Sequence, residues 1–498
     1  MLFNSIDFLV FFPIITVLYF ILPRKAKNYW LLATSYYFYM CWNAKYALLI
    51  LFSTVATYLS SLLLDRINRI DAPQEKCKLW KKLTVGTCLG INLAILFFFK
   101  YFNFTLNIIG NALALVNVQL TIPAFDIVLP VGISFYTFQA LSYTMDVYRD
   151  EIKAEKNFFQ YALFVSFFPQ LVAGPIERSS NLLNQLAEPK KFNSEYARDG
   201  FLMMLWGFFL KIVIADRAAV FVNTVYADHT TYAGWYLVVA TLLFAVQIYC
   251  DFYGYSVIAK GSAKILGIEL MENFDAPYLA TSVSRFWQRW HISLTSWFRD
   301  YLYIPLGGSR KGTLRKYINK LLVFLVSGLW HGASMSFVVW GGLNGLYQVI
   351  GDVLKPLRDK AVSLFSLNRD SLGHKLVQVL WTGLLVSFSW IFFRAQTLNE
   401  AFQIIQQMVS VRNPWILFDG GLYECGLDSK NFGFLLICIG ILLFADSCKT
   451  KGIEIRKIIQ QQDTWFRCVF IAFAILVLLI FGMWGPGYDA SAFVYFQF

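Results

Sequence analysis

The chain has 498 residues, of which 57% are hydrophobic, 18% aromatic and 15% charged. A soluble domain carries about 25% charged residues, so a single soluble globular domain is excluded, and so is disorder. The net charge of +12, from 43 basic and 31 acidic side chains, fits basic cytoplasmic loops of a membrane protein better than a nucleic-acid partner.

In chain order, uncharged runs occupy 8–23, 28–44, 46–64, 83–99, 127–145, 157–176, 321–351, 376–393 and 468–488. A helix crosses the hydrocarbon layer with roughly 20 apolar residues, range about 17–25. The pattern predicts an all-α polytopic protein with about 10–12 membrane-embedded helices. The first run lacks a basic n-region and a small-residue cleavage site, so it reads as a retained span and not a signal peptide. Arg24, Lys25 and Lys27 form one basic loop, and Lys81 and Lys82 close another. Both fall on the cytoplasmic side if the N-terminus lies outside. After residue 150 the alternation becomes ambiguous.

Residues 65–82 and 149–156 read as short hydrophilic loops. Gly174-Pro175 should end a helix and open the polar stretch 177–199. Segment 281–320 holds eight basic residues and one acidic residue, Asp300, interleaved with Trp287, Trp290 and Trp297. It is too polar to span. It predicts helices in the interface, or tucked in from the cytoplasmic side. Anchoring to anionic lipid and reception of a phosphorylated ligand both fit its composition. Residues 395–430 read as an amphipathic excursion at the membrane surface. No long linker divides the chain, so 1–498 reads as one transmembrane domain. The eight cysteines show neither CxxC nor zinc-ligand spacing with histidine. They read as small embedded side chains, and no metal site is expected.

Four histidines occur. His229 and His374 lie in polar loops and receive no role. His331 is, apart from Tyr347, the one titratable acid–base group in the 31-residue run 321–351. As a single helix that run would measure roughly 46 Å, longer than the roughly 30 Å core. It must tilt, break or turn back, and Gly332-Ala333-Ser334 permits a break. A titratable group at that depth is costly and marks a pathway or an active site. The plainer alternative is a neutral histidine satisfied by a neighbouring oxygen. His291, in Arg289-Trp290-His291-Ile292-Ser293, fits a polar contact or a site residue equally. No HxxxxD, GxSxG, HExxH or GxxxxGK[ST] pattern is present.

Six stretches now stand in order: LPVGISFYTFQALSYTMDVYR (129–149), FFPQLVAGPIER (167–178), QIYCDFYGYS (247–256), NFDAPYLA (273–280), FWQRWHISLTSWFRDYLYIPLGG (286–308) and GLWHGA (328–333). With the terminal VYFQF, they make the chain resemble the membrane-bound O-acyltransferase superfamily. The similarity is to its bacterial alginate and peptidoglycan O-acetyltransferase branch. The resemblance implies a ring of transmembrane helices around a thin centre, with a cytoplasmic funnel and a tunnel to the outer face. His331 matches the superfamily's principal catalytic histidine, and His291 its second conserved polar position.

The implied reaction is acyl transfer from cytoplasmic acetyl-CoA, a substrate and not a bound cofactor, toward an extracytoplasmic polysaccharide. The implied setting is the bacterial inner membrane and its lipid, with a secreted esterase-like partner of SGNH type and no nucleic acid. Arg289, Arg299, Arg310 and Lys311 are candidate contacts to the donor's phosphates, and Asp251 and Asp300 candidate supporting residues. Val257 stands where many relatives carry Asp, so that carboxylate's role is lost or moved to Asp251. Tyr253 replaces a common small residue. Acylation of a lipid or protein hydroxyl, glycan-precursor transport and a non-catalytic scaffold stay open as alternatives.

Overall fold

The computed structural model describes residues 1–71, 73–118, 129–172, 174–484 and 494. Position 173 of the second motif and all of the terminal VYFQF except Val494 lie outside the described residues. Among the described residues every regular element is helical. Six helices are long and apolar enough to cross a membrane: Ala44–Ile67, Gln74–Ala114, Trp235–Ile265, Leu372–Arg394, Ser429–Thr450 and Thr464–Phe481. The apolar helix Ile6–Ile21 is shorter. The two basic stretches expected as loops are helical. Lys81 and Lys82 lie inside Gln74–Leu96, and Arg24, Lys25 and Lys27 form the first turn of Arg24–Met40. Lys27 is buried, with Nζ donating to the Lys190 carbonyl at 2.9 Å. Long basic side chains let a helix continue past the apolar layer, because the stem packs while the amine finds oxygen.

The chain forms two compact units. The first comprises 1–204 and 256–271; the second comprises 205–255 and 272–498. In the first unit, buried polar side chains stitch the helices together. Tyr161 donates to Thr57 Oγ1 at 2.7 Å, and Ser53 to Asn92 Oδ1 at 2.6 Å. Gln139 and Gln170, one from each of the first two motifs, both donate to the Phe164 carbonyl, at 2.7 and 2.8 Å. These motifs therefore serve packing within this unit. Gly174-Pro175 falls between Phe168–Leu171 and the amphipathic Ser179–Ala187, so the expected helix end is present.

The second unit contains the long run 321–351, and that run does break. Thr313–His331 ends at the histidine, Gly332 is extended, and Ser334 caps Met335–Val353 by accepting from the Ser336 N–H. The two helices form a hairpin closed by small residues. A Cβ on Gly341 would lie 2.2 Å from the Phe324 carbonyl oxygen, and one on Gly328 2.2 Å from that of Phe337. Only glycine permits this approach of two backbones. Gly341→Ala is expected to destabilise by about 1–3 kcal/mol through overpacking, read as a lower thermal midpoint in detergent. Gly383→Ala is the control, since a Cβ there meets open space.

Segment 281–320 departs from the surface-anchor reading. It folds as Val283–Arg289, Ile292–Phe298 and a π-helical Arg299–Tyr303, then enters Thr313–His331. Trp287 and Trp290 are buried. Phe286, Trp287, Trp290 and Phe298 are core, while Arg285, Gln288, Arg299 and the basic turn after Tyr303 are exposed.

Candidate active site

His331 occupies the last helical position before the hairpin turn and is buried. Its imidazole meets Trp330 at 4.9 Å, Trp340 at 5.1 Å and Phe393 at 5.4 Å between ring centroids, all edge to face. His291 sits at the junction of Val283–Arg289 and Ile292–Phe298, with φ 45° and ψ 55°. A left-handed conformation is uncommon for a residue with a Cβ and is held only by surrounding structure. The His291 ring is buried against Phe252 at 4.7 Å and Trp330 at 6.1 Å. The Trp330 indole thus neighbours both imidazoles. Histidines 40 positions apart in sequence share one aromatic enclosure.

The enclosure is rigid for identifiable reasons. Trp340 stacks on Trp390 at 5.8 Å and meets Trp287 at 5.5 Å. Trp290 lies 5.2 Å from Trp390. Trp287 Nε1 donates to Asn344 Oδ1 at 3.1 Å, and Trp390 Nε1 to the Tyr278 hydroxyl at 3.1 Å. That hydroxyl donates onward to the Ala245 carbonyl at 2.8 Å. Buried aromatics with satisfied polar ends keep fixed orientations. Two groups differ. Trp340 Nε1 and Ser336 Oγ, one turn apart on the same helix, are buried with no hydrogen-bond partner among the described residues. Buried donors of this kind take water or a bound ligand as partner.

The other sequence-derived candidates take separate places. Arg289, two residues before His291, lies 4.0 Å from Asp275. Arg299 bonds its neighbour Asp300 at 2.8 Å, with the guanidinium exposed. Arg310 and Lys311 stand on the exposed turn before Thr313. Asp251 is buried, and Lys211 Nζ lies 2.6 Å from its Oδ1 and 2.8 Å from Asp216 Oδ1. The Val494 N–H donates to Asp251 Oδ2 at 2.7 Å. Asp251 is therefore part of a buried ion cluster, and the next residue, Phe252, is the one touching His291. Val257 supplies no carboxylate. Tyr253 stacks on Tyr249 at 5.3 Å, and the Tyr249 hydroxyl donates to Asp446 Oδ2 at 3.0 Å.

Sequence reasoning did not single out Lys211, Asp216, Asn273, Ser293, Trp330, Ser336 or Trp340. A signal existed for the first two: Lys211 is the sole charge in 200–215, with Asp216 next after that run. A lone lysine in an apolar run requires a buried counter-ion.

The family described as MBOAT, membrane-bound O-acyltransferase, matches residues 50–393, a stretch that includes both histidines and every aromatic wall residue. A protein named as a probable alginate O-acetylase, AlgI, of Pseudomonas putida is 37% identical over 516 aligned positions, covering 100% of both chains. The peptidoglycan O-acetyltransferase of Helicobacter pylori is 33% identical, covering 87% of this chain and 83% of its own. The teichoic acid D-alanyltransferase of Bacillus subtilis is 27% identical over 44% of this chain and 58% of its own. With helices built to cross a bilayer and two buried histidines inside the matched region, this chain belongs to the membrane-bound O-acyltransferase family and is a multi-pass membrane O-acyltransferase.

Proposed function

We propose that the protein carries an acetyl group from cytoplasmic acetyl-CoA across the inner membrane for O-acetylation of an extracytoplasmic polysaccharide, alginate-like or peptidoglycan. The observation that carries this reading is the pair of buried imidazoles sharing the Trp330 indole. The chemistry is a single displacement at a thioester. An acceptor hydroxyl attacks the carbonyl carbon while His331 takes its proton. The carbon–sulfur bond then breaks, and the proton passes to the thiolate, releasing coenzyme A. Trp340 Nε1 and Ser336 Oγ are suited to donate to the carbonyl oxygen as charge develops there. A dry aromatic enclosure strengthens each of these contacts. His291 assists by orienting the donor or relaying a proton. Arg289, Arg299, Arg310 and Lys311 are the candidate contacts to the donor's phosphates.

Charge distribution supports the direction of transfer. Residues 354–375 and 449–467 contain five basic residues each, whereas 395–428 contain one, Arg412. The positive-inside rule puts the first two in the cytoplasm and the third outside. Lys316 and Lys320 both pair with Asp352, at 2.6 and 2.8 Å, closing the base of the His331 hairpin. That base then faces the cytoplasm, and His331 stands about 16 Å beyond it, near mid-membrane. The sequence carries no serine-esterase motif, so transfer onto the glycan falls to a secreted esterase-like partner. Labelled acetyl-CoA supplied to inside-out vesicles is expected to leave label on a luminal glycan or glycan-directed acceptor. Label confined to phospholipid, or no transfer at all, would overturn the reading.

A further inference from the structure

We infer that Asn273 and Ser293 are positioning residues that fix the tautomer of His291, holding the proton on Nδ1 and leaving Nε2 as an acceptor. This rests on the acyl-transfer reading above. Three buried residues form a chain. Ser293 Oγ lies 2.6 Å from Asn273 Oδ1 and 3.4 Å from His291 Nδ1. The Ser293 backbone N–H also points to Asn273 Oδ1, at 3.3 Å. Two donors converge on that atom, so it is the carbonyl oxygen of the amide and not its nitrogen. A carbonyl oxygen only accepts, and the serine's single proton is therefore committed to Asn273. What Ser293 turns toward His291 is a lone pair. The contact is attractive only when Nδ1 carries hydrogen.

The backbone holds this chain in place. The Ile292 N–H donates to the Asn273 carbonyl at 2.9 Å, and the Asp275 N–H to the Arg289 carbonyl at 3.0 Å. The NFDAPYLA loop is thereby laced to the helix junction that carries His291. His291 holds a left-handed backbone at this junction, and its Nδ1 faces the hydroxyl of Ser293 two residues on. The consequence is chemical. With Nδ1 protonated and Nε2 unprotonated, His291 accepts a hydrogen bond or a proton at Nε2. It does not donate to the thioester carbonyl oxygen, which leaves that task to other groups.

The test uses the full-length protein in lipid nanodiscs and vesicles. Side-chain 13C and 15N shifts of labelled histidine report the tautomer directly, with His291→Gln identifying the signal. The wild type should show Nδ1–H, and Ser293→Ala should show loss of that single form. Retention of Nδ1–H in Ser293→Ala, or Nε2–H in the wild type, overturns the inference whatever the activity proves to be. In the acetyl-CoA vesicle assay, Ser293→Ala should lower kcat on the order of tenfold to a hundredfold, the range for groups that orient a histidine from behind. KM for acetyl-CoA should stay within about twofold. Ser293→Thr, which keeps the hydroxyl, should recover most of kcat. A purely structural role would lower folded yield in both variants and leave the kcat of the folded fraction intact. A wild type that transfers no acetyl group defeats the functional reading alone, since the tautomer is read independently of it.

Discussion

His331→Ala is expected to lower acetyl transfer in vesicles by about 10²–10⁴-fold, the contribution of a positioned general acid–base group, with expression and membrane insertion unchanged. The size follows from the site's composition. The histidine is enclosed by Trp330, Trp340 and Phe393, and aromatic rings offer no replacement base. Truncation also leaves a void among those rings, so His331→Gln is the companion variant, closer in volume and unable to act as a base near neutral pH. Both should fold and both should fail. His291→Ala should also lose much of its turnover, whereas His229→Ala and His374→Ala should retain it. Wild-type levels of acetylated product from folded His331→Ala would remove His331 from the reaction.

The helical membrane class and the break beside His331 are both legible in the sequence. Charge-free runs of spanning length are a one-dimensional signal. The break at Gly332 follows from a run too long for a single pass, and the structure puts it where the small residues stand. His291 is visible only through resemblance, because its neighbours in sequence are basic and aromatic in equal measure. Segment 281–320 shows why. Its tryptophans carry the composition of a membrane-surface anchor, yet Trp287 and Trp290 are buried against Trp340 and Trp390, both far along the chain. Burial at that separation leaves no periodic trace. The same holds for the Asn273–Ser293 contact, which joins a loop to a helix junction 20 residues on. The basic stretches at Arg24–Lys27 and Lys81–Lys82 mislead in the opposite sense. Charge marks where a helix leaves the apolar layer, not where it ends.

Lys211→Met should destabilise the protein by about 3–5 kcal/mol, the usual cost of stripping one partner from a buried ion cluster. Lys211 Nζ is the cation between Asp216 and Asp251, at 2.8 and 2.6 Å, and all three side chains are buried. Methionine matches the stem of lysine and fills its volume, so packing is preserved while both carboxylates lose the Lys211 ammonium. The triple change Lys211→Met, Asp216→Asn, Asp251→Asn should recover most of the loss. Neutral amides need no cation, and the amide oxygen introduced at position 251 can still accept from the Val494 N–H. Non-additivity of that kind is the signature of a coupled cluster and not of three separate contacts. Thermal unfolding followed by exposure of the buried thiols of Cys250 and Cys438 measures it. A single Lys211→Met as stable as wild type would show that the carboxylates do not depend on this lysine. The cluster also bears on catalysis, since Phe252 follows Asp251 in the same helix and sets one wall of the His291 pocket at 4.7 Å. Below its unfolding temperature, Lys211→Met should therefore lose activity as well, and the triple variant should regain activity together with stability.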